Sequence, residues 1–547
     1  MTRRRFVPFA LALLATSLAV EAASDGHLAP LFDDLGDHHA SVTTVSVDAQ
    51  RYFDQGLVLN YGFNHAEAVR SFRAAQRLDP ACAMCFWGEA MALGPNINKP
   101  MDPADAPAAR AAIDRALALA AQVTPRERAL IEAMSLRYAV PAPADRSALD
   151  AAFANAMAGV AARYPNDLDT VTLYAEALMD LMPWDYYDAD GRAKSRTDDV
   201  VAVLEGVLAR NPDHPGAIHL YIHIVEPSST PARAEAGADR LADLVPGSGH
   251  LVHMPSHIYL RVGRYKDATA INERAAAADE SYIEQCRAQG FYPALYYPHN
   301  LHFLWYTASL EGRSEAAIAA ARKLADNVPA GLIGDIPLIE QFLAVPQYGL
   351  IRFARWDAVL AEPEPRREHR FAHAMWQAAR AVAYGARGEV EAARAAATAH
   401  AAEAGAYGAD AYQTYGYPAD VLLAIAGRLA AAGVAGAEGR DDAVIAALEA
   451  AVALEDGLPY MEPPYWFFPN RQLLGAALLA RGRAAAAEAV YRADLERVPL
   501  NGWSLSGLAA ALDAQGRGEE ATTVREQLAQ AWQDADVDAG GASIRYF

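Results

Sequence analysis

Asn64-His65-Ala66-Glu67-Ala68-Val69-Arg70-Ser71-Phe72-Arg73-Ala74-Ala75-Gln76-Arg77-Leu78-Asp79-Pro80 is the stretch that decides the fold. Its alanines, Val69, Phe72 and Leu78 recur at helical spacing, and Pro80 closes the helix because proline lacks the amide N–H that a helix interior uses. The pattern returns as Gly263-Arg264-Tyr265-Lys266-Asp267-Ala268, as Gly312-Arg313-Ser314-Glu315-Ala316-Ala317, as Gly482 to Ala487, and as Gly516-Arg517-Gly518-Glu519-Glu520-Ala521. Each glycine stands between two amphipathic stretches, where a tight helix–turn–helix needs a backbone that glycine adopts freely. The alanine five residues on lets the paired helices pack closely. Strand signals are nearly absent elsewhere, and Ala, Leu, Glu and Arg at helical spacing dominate.

This unit resembles the tetratricopeptide repeat (TPR), a helical hairpin of roughly 34 residues. The best copies start near Ala49, Ala81, Pro215, Gly249, Pro298, Ala374, Phe468 and Gly502, with degenerate copies over 124–212 and 327–370. One hairpin cannot bury its apolar face alone, so neighbours stack. The resemblance implies an all-α, right-handed superhelical solenoid of about ten to twelve hairpins. It also implies that the first helix of each hairpin lines an inner groove. The expected organisation is a leader over 1–22, a lead segment over 23–48, N-terminal repeats with insertions over 49–212, central His-rich repeats over 213–326, and C-terminal repeats over 327–547. An aromatic, Pro-rich insert at 459–470 interrupts the last group.

With 53% hydrophobic and 21% charged residues, the composition excludes wholesale disorder and a collagen-like chain. The 47 Lys+Arg against 68 Asp+Glu give −21, which repels a phosphate backbone, so no nucleic-acid partner is expected. Arg3 to Arg5 precede the apolar run Phe6 to Val20, and Val20-Glu21-Ala22 suits cleavage after Ala22. A periplasmic or secreted bacterial protein is expected, acidic at −23 once the leader is removed. No other stretch is expected to span a membrane. Three cysteines make no disulfide framework; Cys82-x-x-Cys85 reads as a local disulfide or packed thiols, with metal or redox chemistry as the alternative, while Phe86 argues against haem attachment and no βαβ unit surrounds it.

Histidine placement carries the chemistry. Eight of the 15 histidines fall between His214 and His302, where an even spread would place roughly two. His219, His223 and Glu226 share one narrow helical stripe, because residues three, four and seven apart return to one face. His250, His253 and His257 take matching places in the next hairpin, and His299 and His302 in the third. As the resemblance implies, those places face the groove. Imidazoles four apart can hold one metal ion, and a His-rich set without thiolate suits Cu, Fe or Zn better than Mg or Ca. The same histidines could instead line a solvated polar groove or be buried structural groups. His214, in an inter-repeat turn, reads as structural.

Glu226 and Glu176 are the candidate proton acceptors; Glu176 and Asp180 are four apart and could equally form a solvated acidic face. Two functions from different classes follow. One is an exported TPR-solenoid metalloprotein, an enzyme acting on a small molecule or peptide in the groove. The other is a non-catalytic scaffold that binds a protein or peptide there. The insert around Tyr460-Met461-Glu462-Pro463-Pro464 is expected to serve as a lid.

Overall fold

The computed structural model describes residues 29–188, 191–286, 292–334, 336–407 and 417–537. The expected leader, 1–22, lies outside them. Among the described residues the fold is all-α, with isolated bridges at Asn96–Lys99 and Tyr187–Ala193 in place of any strand. Two compact units form. One holds the described residues up to Ile258 together with Arg274–Tyr292, and the other holds Tyr259–Glu273 with the described residues from Pro293 onward.

In the first unit α1 (Val47–Tyr61) pairs with α2 (His65–Leu78), α3 (Ala83–Ala92) with α4 (Ala106–Leu119), and α5 (Pro125–Met134) with α6 (Ser147–Arg163). Then α7 (Leu168–Met179) pairs with α8 (Thr197–Leu208), and α9 (Pro215–Val225) with α10 (Glu235–Leu244). Next come α11 (Gly249–His253), and then α12 (Pro255–Val262) and α13 (Tyr265–Cys286), whose residues are divided between the two units. Pro255 opens α12 where its missing N–H costs nothing. In the second unit the pairs are α14 (Tyr297–Glu311) with α15 (Ser314–Asp326), α16 (Val345–Arg352) with α17 (Trp356–Ala361), and α18 (Arg370–Ala386) with α19 (Val390–Ala406). They continue as α20 (Ala419–Ala437) with α21 (Asp441–Glu455), α22 (Asn470–Ala480) with α23 (Ala484–Arg497), and α24 (Gly502–Ala514) with α25 (Gly518–Ala531). Each unit is thus a TPR-like stack of helix–turn–helix repeats.

The turn logic holds in detail. Gly263 and Gly312 have φ of 82° and 78°, a left-handed backbone that a side chain resists. The alanines five places on, Ala268 and Ala317, are fully buried, as is Ala68 in the first hairpin. A larger side chain there would overpack the paired helices at about 1–3 kcal/mol. Cys82 and Cys85 are joined as a disulfide at the start of α3.

Trp466, Phe467 and Phe468 of the aromatic insert are buried in their own unit, where Phe467 stacks on Tyr348 at 4.2 Å. One expectation changes: a stretch beyond the leader, α20, is long and apolar enough to cross a membrane. Its most apolar window is 61% buried within the fold, because α18 and α21 pack along it.

Candidate metal centre

Five of the seven predicted histidine ligands come together in the first unit. His219 and His223 sit on α9, a wholly buried helix, and Glu226 caps its end. His250 and His253 sit on α11, and His257 on the first turn of α12. All five rings and the Glu226 carboxylate are essentially shielded from solvent. The ligand-capable nitrogens of His219, His223 and His250 lie within 4.8 Å of one another.

Hydrogen bonds fix which nitrogens carry protons. The Nδ1 of His219 is 2.5 Å from the backbone carbonyl oxygen of Tyr61, an acceptor only, so Nδ1 carries the hydrogen and Nε2 the lone pair. Glu226 does the same twice: Oε1 accepts from Nδ1 of His223 at 3.0 Å, and Oε2 from Nδ1 of His257 at 2.5 Å. Three imidazoles therefore present Nε2 as bare acceptors. Nε2 of His219 meets Nε2 of His250 at 3.1 Å, and Nε2 of His257 meets Nε2 of His253 at 2.9 Å. Nε2 of His223 is buried with no hydrogen-bond partner. An orphaned lone pair costs about 1–3 kcal/mol in a protein interior, so it marks a place where something else belongs.

Electrostatics keep His219 and His223 neutral. Burial, then the neighbouring imidazoles, lower the His219 and His223 pKa values well below 6.5. Neutral imidazole is the form that ligates a metal.

The walls are aromatic. Phe63 packs its ring 4.5 Å from His219, and lies stacked on His223 and His250 at 6.1 and 5.7 Å. Trp184 sets its indole edge-on to His223 at 5.2 Å and donates its indole N–H to Asn98 Oδ1. Both residues have left-handed φ, 55° and 60°, which only a surrounding structure that fixes them can hold.

A second polar cluster supports the first. The Asp169 carboxylate accepts from the Tyr61 hydroxyl at 2.7 Å and meets Nε2 of His38 at 2.9 Å and Nε2 of His214 at 3.2 Å. His214 Nδ1 accepts the Ala217 N–H as the cap of α9, so its proton is on Nε2, facing Asp169. That ring is a donor here and offers no lone pair to an ion. Burial opposes the Asp169 charge, but the two imidazoles prevail and pull its pKa below the usual range. Tyr61 thereby joins both clusters, with its hydroxyl on Asp169 and its carbonyl on His219.

Two further histidines and the acidic pair complete the sequence candidates. His299 and His302 belong to the second unit, where His299 meets the Phe303 ring edge-on at 5.0 Å and His302 stacks on Trp305 at 5.5 Å. Glu176 lies buried on α7, which packs against α9; burial, opposed by Arg137, raises its pKa to about 7. Asp180, whose carboxylate accepts from Arg137 at 2.6 Å, is raised by the same burial. Missed from sequence were Tyr61, Phe63, Asp169, Trp184 and His38. Of these, only Phe63 left a trace, standing where the turns at Gly263, Gly312, Gly482 and Gly516 have glycine.

No protein-family model matches this chain, and no curated protein matches it. Among solved structures it is similar to the human IFIT1 dimer with m7Gppp-AAAA, at 13% identity and a TM-score of 0.31, over 91% of this chain and 92% of that one. It is similar to the human IFIT1 dimer with PPP-AAAA at 12% identity and a TM-score of 0.32, over 90% and 92%. A monomeric IFIT1 mutant with Gppp-AAAA matches at 12% and 0.28, over 88% and 90%. A likeness this distant identifies no partner for this chain, and the fold stands on the helix pairing above.

Proposed function

We propose that this chain is a metalloprotein whose TPR-like stack holds a transition-metal ion, Cu, Fe or Zn, on Nε2 of His219 and His223 and a ring nitrogen of His250. One observation carries the reading: the buried, partnerless Nε2 of His223 beside two further imidazole nitrogens. The outer contacts fit. Metal-bound histidines almost always donate their other N–H to a carboxylate or a backbone carbonyl, as His223 does to Glu226 and His219 to Tyr61. Three imidazoles without thiolate suit these metals and leave room for a small molecule or peptide as a further ligand.

Such an ion supplies Lewis acidity or redox capacity to a bound substrate. The chain's own residues do the rest. Glu226 and Tyr61 hold the imidazoles in one tautomer, and Phe63 and Trp184 cover their faces against water. Glu176 Oε, titrating near neutrality, is the group suited to take or return a proton. We read the protein as an exported, metal-dependent enzyme, with the Arg3–Arg5 and Phe6–Val20 pattern supporting export.

The test is elemental analysis of the untagged protein from its own compartment, beside H223A. About one or more equivalents of a transition metal in wild type, strongly reduced in H223A with the helical circular dichroism unchanged, is the expected result. Protein that stays metal-free after anaerobic addition of Cu(I), Fe(II) and Zn(II) refutes it.

A further inference from the structure

His253 and His257 stand outside the triad just assigned, yet they repeat its construction. His257 donates Nδ1–H to Glu226 Oε2, as His223 does to Oε1, so one buried carboxylate turns both Nε2 lone pairs outward in the same way. The His223 and His257 rings are 5.6 Å apart, and those of His250 and His253 are 6.0 Å apart. The five imidazoles thus form one continuous buried cluster with two close nitrogen pairs. These are His219–His250 at 3.1 Å and His253–His257 at 2.9 Å.

Those spacings have a second meaning. Two nitrogens bound to one ion at about 2.0–2.1 Å stand about 2.9 Å apart at a right angle and about 3.4 Å apart at the tetrahedral angle. Both pairs meet that range without moving. His253 has a partner for either tautomer. Its Nδ1 faces the Ser256 hydroxyl at 3.2 Å, which can donate or accept, so a proton on Nδ1 finds an acceptor when Nε2 gives up its own.

Resting on the metal reading above, we infer that the cluster is binuclear: a second transition-metal ion binds Nε2 of His253 and His257, with Glu226 orienting one imidazole of each site. The carboxylate is then the shared outer support of two ions. It is buried together with the five imidazoles.

The test uses the full chain, stripped with a chelator and dialysed against zinc(II), with bound zinc counted by elemental analysis. Two equivalents in wild type, falling to one in H253A and to one in H219A, are expected. A single equivalent in wild type, or two retained by H253A, overturns the second site while the first stands. No zinc in any of them overturns both readings. Should the variants fail to fold, wild type loaded with copper(II) decides. Two neighbouring ions give a half-field electron paramagnetic resonance transition, and saturation at one equivalent with the spectrum of an isolated ion overturns the proposal.

Discussion

Replacing Glu226 with glutamine keeps the shape of the cluster's central support and reverses half of its chemistry. The carboxylate accepts two imidazole N–H groups, from His223 at 3.0 Å and His257 at 2.5 Å. Glutamine offers one carbonyl oxygen and one NH2, so only one of those rings keeps an acceptor. The other meets a donor, must shift its proton to Nε2, and loses the lone pair that faces the ion. Losing such an outer partner typically costs 10–100-fold in metal affinity, about 1.4–2.7 kcal/mol. E226Q should therefore weaken zinc binding by at least tenfold at the affected ion, read by competition with a chromophoric chelator. Stability should change little without metal, because removing a buried charge offsets the lost hydrogen bond. Affinity within threefold of wild type, at an unchanged melting temperature, would refute the orienting role. A melting temperature that collapses while zinc binding persists would make Glu226 a structural strut.

His214 and His219 should separate cleanly. H214A loses the α9 cap and its Asp169 contact, costing about 1–2 kcal/mol in thermal unfolding, recovered in part by H214N, while metal content stays intact. H219A should do the opposite, losing metal and keeping its melting temperature within a few degrees. Glu176, ordinary near 4.5 when unfolded and raised to about 7 when folded, binds its proton more tightly in the native state. Its contribution to stability is present below pH 4.5 and lost as pH rises toward 7, by about 3 kcal/mol at most, so E176Q should flatten the fall in melting temperature over that window. A Cβ on Gly249 would sit 1.9 Å from Asp279 Oδ1, whose carboxylate accepts from the Tyr292 hydroxyl that in turn accepts the His250 N–H at 3.1 Å. G249A should thus destabilise by about 1–3 kcal/mol and weaken metal binding, and an unchanged titration would show that His250 is not held this way.

How much of this was legible in the sequence follows from what each contact depends on. The His219–His223–Glu226 stripe follows from 3.6 residues per turn alone, and it is real. The break at Pro255 was readable too, and it leaves His250 and His253 on one short helix and His257 on the next. Convergence of those two segments needed only that consecutive hairpins stack. The supports were invisible for different reasons. Tyr61 acts on His219 through its carbonyl, which every residue possesses. Asp169 and His38 meet across 131 residues of sequence, where no periodicity reaches.

Phe63 is the instructive exception. Aligned on the buried alanine five places later, Phe63 of the first hairpin stands where Gly263 and Gly312 stand in theirs, and it takes the same left-handed backbone at φ 55°. Glycine bears that conformation freely; phenylalanine holds it at about 1–2 kcal/mol. Nothing in the turn itself requires the larger residue, since the other turns close without it. What the ring gains is contact with the His219, His223 and His250 rings, the three that present the candidate ligand atoms. The α16–α17 turn carries Ala354 in the same backbone at φ 51°, so a residue other than glycine at this place does not by itself mark a site. What sets Phe63 apart is its ring, which lies against three imidazoles.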